Sequence, residues 1–262
     1  MKRIPHSPTK YVYGIIRHSA GHHFADIEAV GDPDATVHPI AVGDLAAVVS
    51  DATVSRYEVT RANMMAHERA IEAVMATRTV LPMRFSTIDT VSGITAMLTD
   101  RAAEFEDALR AMDGKVEVEI KASWVDTRLA FDEIVAENRA IRSRRDRLNR
   151  QGAASQAERI DLGKLVEAAL AAKRRSDADR ILAPLQRTAE RYTESPVVGE
   201  AMILNAAFLL SGKRVLEFDR AVAALDESMG GRVNFKYFGP LPPFHFVATN
   251  REDRRGYVER AS

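Results

Sequence analysis

The chain of 262 residues contains no cysteine, which excludes disulfides, thiolate zinc sites and a cysteine nucleophile and fits a reducing compartment. It has no excess of charge either. Its 37 basic residues balance 37 acidic ones, so no global field recruits nucleic acid or an anionic membrane. Long apolar runs are missing: no window approaches the roughly 18 apolar residues of a membrane span. The opening MKRIPHSPTK runs into the short segment YVYGII, which makes neither a signal-peptide core nor a cleavage site. These absences predict a cytoplasmic protein. What is present, 46% hydrophobic and 28% charged residues, suffices for a packed core, and the length favours two domains.

Residues 1–9 read as a flexible tail. YVYGIIR has the β-branched and aromatic character of a buried strand, and VHPIAVGDLAAVVSD reads as two strands hinged at Gly43-Asp44, with Pro39 suited to an edge. From Thr60 to Thr77 the period changes, and Met64, His67, Ile71, Val74 and Met75 share a helical face. TVLPMRFSTI is extended around Pro82. Ile94, Met97, Leu98, Phe105, Leu109 and Met112 predict a second amphipathic helix, ended by Asp113-Gly114, before KVEVEIKASW alternates Val116, Val118 and Ile120 with Glu117, Glu119 and Lys121. This mixture predicts an N-terminal α+β sandwich of ferredoxin-like type over 10–124.

No proline occurs between Met83 and Ala183. Ile134, Ile141 and Leu148 recur at heptad spacing, Gly152 and the Ser155–Glu158 capping-box spacing mark a turn, and a second apolar stripe follows from Leu162. The prediction is a coiled-coil-like helical hairpin over about 126–195, its first arm near 37 Å long at about 1.5 Å per residue, with possible breaks in the second at Gly163 and before Pro184. Pro196 ends it. EAMILNAAFLLS is apolar enough for a central strand, although a short buried helix has the same pattern. The helical face Val215, Phe218, Val222, Leu225 and Met229 stops at Gly230-Gly231, and RVNFKYFG reads as the last strand. The hairpin is thereby inserted in a C-terminal α+β domain over 125–250, followed by a polar tail, 251–262.

The chemical motifs each lack a required residue. AHERA at 66–70 has Ile71 where a zinc-protease helix needs its second histidine, and His67 lies on the apolar stripe, so a buried, hydrogen-bonded histidine is expected. His18, His22 and His23 have no nearby carboxylate pair to complete a zinc site. SGKR at 211–214 lacks the P-loop glycine, since 207 is Ala, and the hydroxyl, since 214 is Arg; no G-x-S-x-G is present. No metal or cofactor is expected. ENRAIRSRRDRLNR, 137–150, sets six arginines against Glu137 and Asp146 without base-stacking aromatics, which favours a solvated or partner-facing arm over a nucleic-acid site.

The densest aromatic stretch is FKYFGPLPPFHF, 235–246. Burying a phenylalanine contributes roughly 1.5–3 kcal/mol, so its rings divide between core and surface, while Pro240, Pro242 and Pro243 predict a rigid surface segment that holds Leu241 and Phe244 near the domain edge. These five residues, with Arg142 and Arg145 of the arm, are the candidate partner contacts.

YVYGII, LAAVVSD, AHERAIEAVMATRTVLPMRFSTI and FGPLPPFHFV, in this order and spacing, resemble the gas vesicle accessory protein family F/L (GvpF/GvpL) over nearly the whole chain. Ser86 stands where glycine is usual in that family, and Leu241 where an aromatic is common. The resemblance implies a non-catalytic, two-domain protein with no cofactor. It implies a minor component that binds the small, hydrophobic, GvpA-like shell protein and limits its aggregation during nucleation, alongside other gas vesicle accessory proteins, in the cytoplasm and on the vesicle. The alternative is a nucleic-acid-binding ferredoxin-like protein using the arginine-rich hairpin.

Overall fold

The computed structural model describes residues 9–19, 24, 27–32, 34–151, 156–247 and 260–261. The expected tails fall largely outside these residues, as do His22, His23 and the turn at 152–155. The architecture is α+β with two antiparallel sheets. Two compact units divide inside strands: one holds the described residues up to Glu117 and from Gly239 to Val247, the other Val118–Phe238 with Arg260–Ala261.

In the first unit, β1 (Thr9–Arg17), β2 (His38–Val42), β3 (Leu45–Asp51) and β4 (Val80–Pro82) lie in the order β2-β3-β1-β4, with β5 (Ile88–Thr90) also paired to β1. Gly43, at φ 58°, turns the β2–β3 hairpin, and Pro39 sits in β2, an edge strand, where proline is best tolerated. The second half of a ferredoxin-like βαββαβ is recognisable in β2–β3–α1–β4, where α1 spans Arg61–Met75; the β1–β2 connection contains no helix among its described residues.

A bulge in β1 builds the core. Val12 pairs with Val49 and Gly14 with Val48, so Tyr13 is the extra residue. Tyr11, Tyr13 and Ile16 therefore all reach one face, against Ala66, Ala70, Ile71 and Val74 of α1. Gly14 is required beside them, because a Cβ there would come within 2.6 Å of Val80 Cγ2 and 2.8 Å of Leu81 O.

The predicted continuous helix through Ile94–Met112 is instead two, α2 (Val91–Asp100) and α3 (Ala102–Ala111), broken at Arg101 with φ −113° and ψ 18°. Arg101 pairs with Glu104 at 2.8 Å and lies 4.6 Å over the Phe105 ring. The break lets α2 meet β2 and β3 while α3 meets β1 and β4.

The second unit has the strand order β10-β7-β8-β6-β9, from β6 (Lys115–Trp124), β7 (Arg191–Glu194), β8 (Met202–Ser211), β9 (Val233–Leu241) and β10 (Arg260–Ala261). β8 is the central strand, which resolves the strand-or-helix ambiguity of MILNAAFLLS: Ile203, Leu204, Ala206, Ala207, Phe208, Leu209 and Leu210 are all buried. The hairpin's first arm is not one helix but α4 (Thr127–Glu137) and α5 (Arg139–Gln151). At Asn138 the backbone is extended, and its side-chain oxygen accepts from the N–H groups of Ala140 and Ile141, so it caps the second piece. Both pieces pack along α6 (Gln156–Gln186). That helix runs through Gly163 and Pro184; an interior glycine costs only about 1 kcal/mol, and the proline falls in the last turn. The helical part ends at Gln186 rather than at Pro196, because β7 is taken up by the sheet beside β8. α7 (Val215–Met229) ends at Gly230 in the left-handed conformation, φ 56°.

Candidate functional site

The segments that carry the family resemblance converge in the first unit. Tyr11 and Tyr13 come from YVYGII, His67 from AHERA, Met83, Phe85 and Ser86 from TVLPMRFSTI, and Phe244 from the proline-rich end. The Tyr11 ring lies 4.8 Å from Tyr13, 5.5 Å from Tyr57 and 5.7 Å from His67, and His67 lies 5.7 Å from Phe85 and 6.4 Å from Phe244.

A chain of hydrogen bonds runs through these rings. His67 is 2% exposed, with Nε2 3.2 Å from Met83 O and Nδ1 2.9 Å from the Tyr11 hydroxyl. A carbonyl can only accept, so Nε2 carries the proton and Nδ1 accepts from Tyr11. The Tyr11 oxygen in turn accepts from Ser86 N–H at 2.9 Å, and Ser86 Oγ accepts from Tyr57 N–H at 2.9 Å. Ser86 has φ 61°, the left-handed region, which explains why glycine suits this position. A serine tolerates it here because its hydroxyl is used. Beside it, the Tyr13 hydroxyl takes the Val30 N–H at 2.9 Å and meets Ser50 Oγ at 3.0 Å.

The electrostatics follow from burial. Desolvation lowers the His67 pKa from 6.5 to about 4, against the opposing bond to Met83, and raises both Tyr11 and Tyr13. The neutral imidazole is thus held at both nitrogens, its Nε2–H by Met83 O and its Nδ1 lone pair by the Tyr11 hydroxyl, and is 2% exposed. The centre ties together side chains from β1, α1 and the segment after β4.

The proline-rich segment is placed differently from expectation. Pro240 is exposed and Leu241 half-buried, but Pro242 and Pro243 are buried, and Phe244 packs against the aromatic core. The segment also carries an anchor that alternation conceals. Glu117, predicted on the polar face of its strand, is fully buried and accepts from His245 N–H at 2.8 Å and from its Nδ1 at 2.6 Å. Phe246 is buried, Phe235 half-buried and Phe238 exposed, dividing the rings between core and surface.

In the second unit, Arg142 donates Nε to Val135 O at 3.3 Å and an Nη to Ala136 O, closing the carbonyl end of α4. Arg145 pairs with Asp146 at 2.9 Å, and Arg147 with Glu158 at 3.8 Å. These guanidinium groups make local contacts. A second polar centre surrounds the single tryptophan: Trp124 Nε1 donates to Asp177 at 2.9 Å, Lys173 lies 3.5 Å from Asp177 and 2.7 Å from Glu133, and Arg232 reaches Glu133 at 2.6 Å. Asp177 sits at helical spacing with Ile181, the signal that would have flagged it as inward-facing.

Fold and centre together define an α+β protein whose shared motifs build a packed aromatic-histidine scaffold. The sequence matches the family described as "Gas vesicle synthesis protein GvpL/GvpF" over residues 9–248, and the chain belongs to that family. Gas vesicle protein F of Streptomyces sp. (strain CB03234) is 33% identical over 240 residues, 90% of this chain and 98% of that one; the Dolichospermum flosaquae protein of the same name is 26% identical, covering 90% and 96%. The crystal structure of the gas vesicle protein GvpF from Anabaena sp. PCC7120 superposes with a TM-score of 0.81 at 25% identity, over 92% of this chain and 98% of that one.

Proposed function

We propose that this chain is a non-catalytic gas vesicle assembly protein that binds the hydrophobic, GvpA-like shell protein and limits its aggregation during nucleation, in the cytoplasm and at the growing vesicle. The observation that carries the reading is the match to a gas vesicle synthesis family across residues 9–248. A shell subunit that packs edge to edge exposes apolar surface and strand edges until it is incorporated, and a partner that covers them shifts it away from aggregation by mass action. The burial of His67, 2% exposed with both nitrogens bonded within the core, supports the non-catalytic part. No helix among the described residues is long and apolar enough to cross a membrane. Of the nominated contacts, Pro240, Arg142 and Arg145 are exposed, Leu241 and Phe244 half-buried, and Pro242 and Pro243 buried.

The test is co-expression with a GvpA-like shell protein. The shell protein is expected to stay in the supernatant and co-purify with this chain. Equal precipitation with and without the chain refutes the reading.

A further inference from the structure

The second sheet ends at β9, and no strand lies on its outer side among the described residues. Such an edge presents alternating N–H and C=O groups that another extended chain can pair with along its length. Beside it, within the same unit, a cleft of about 920 Å³ opens between β9, the end of β6 and α7. Trp124, Val125, Val222, Ala223, Val233 and Phe235 give it apolar walls. Val125 is 63% exposed and Phe238, on β9 under the Lys121 ammonium at 5.2 Å, is 43% exposed.

The charge of the cleft is one-sided. Asp219 and Asp226 are among its lining residues, and no lysine or arginine is. Asp219 accepts from the Tyr237 hydroxyl at 2.7 Å, but Asp226, exposed on the rim, has no ionic partner among the described residues. An apolar wall with an unpaired carboxylate fits an apolar segment that carries one cation.

We propose that β9 and this cleft form a docking site for an extended segment of a partner protein. The segment adds to the sheet as a further strand, sends alternate apolar side chains into the cleft and places a Lys or Arg against Asp226. From Val233 to Phe238 the edge offers about 20 Å at about 3.3 Å per residue, room for three side chains on one face. The proposal rests on the shell-binding reading above, and names the surface and the chemistry by which a strand edge would be covered.

The experiment uses the full chain with short overlapping synthetic peptides tiling the shell protein, and intact shell protein in parallel. Amide exchange at 233–238 is expected to slow on binding one peptide. Asp226→Lys and Ala223→Arg, both at exposed positions, are expected to weaken capture about tenfold or more without lowering Tm. Exchange itself reports on wild-type protein, should either variant fold poorly. Capture of shell protein without protection of β9, or with both variants binding normally, overturns the docking site and leaves the assembly function standing. No capture of peptide or intact protein overturns both. Protection of β9 that grows with protein concentration in the absence of peptide assigns the edge to a second copy of the chain, and likewise overturns the proposal.

Discussion

His67 allows a quantitative test of the scaffold. Its folded-state pKa of about 4 lies below the ordinary 6.5, so between these values the unfolded chain binds a proton that the folded chain refuses. Stability therefore rises with pH across this window: it is fully present above pH 6.5 and is lost progressively as pH falls toward 4. The difference between the two values corresponds to about 3 kcal/mol, of which about 2.5 kcal/mol is gone by about pH 4.5. Carboxylates titrate near the same range, so the measurement is a difference. Urea unfolding is followed from pH 7 to 4.5 for wild type and for His67→Gln, whose amide can donate to Met83 O and accept from Tyr11 without titrating. The gap between the two ΔG values is expected to change by about 2–3 kcal/mol in favour of the variant as pH falls. Parallel pH profiles would refute a neutral, buried His67.

Two further substitutions test the local architecture. Tyr11→Phe keeps the packing but leaves Ser86 N–H and His67 Nδ1 without their partner, with an expected cost of about 2–4 kcal/mol by denaturant unfolding; a loss below about 0.5 kcal/mol contradicts the network. Asn138→Ala removes the oxygen that caps α5 and is expected to cost about 1 kcal/mol, with exchange accelerating first at residues 139–142; unchanged exchange there means that the break between α4 and α5 does not depend on the cap.

Patterns with a strong local cause were legible in the sequence. The 3.6 period of Ile71 and Val74 placed α1, the Gly43 turn placed the β2–β3 hairpin, and the ordered motifs pointed to the family before any contact was known. His67 was readable as a core histidine because it shared that apolar stripe. The breaks at Arg101 and Asn138 were not, since apolar periodicity continues across both and registers no change of axis. Asn138 carried the one available signal, a residue that competes for backbone bonds when it caps rather than continues a helix.

By itself the sequence determined the α+β class, the family and the absence of thiol chemistry, because composition, period and motif order are properties of the chain alone. Only the tertiary structure decided where the proline-rich end lies. Pro242 and Pro243 are buried, and His245 just after them is bonded through its N–H and Nδ1 to Glu117, 125 residues before Pro242, which alternation assigns to a polar face and which is fully buried. A buried carboxylate is tolerated only when its hydrogen bonds are supplied, and the partner that supplies them is distant in sequence and adjacent only after folding.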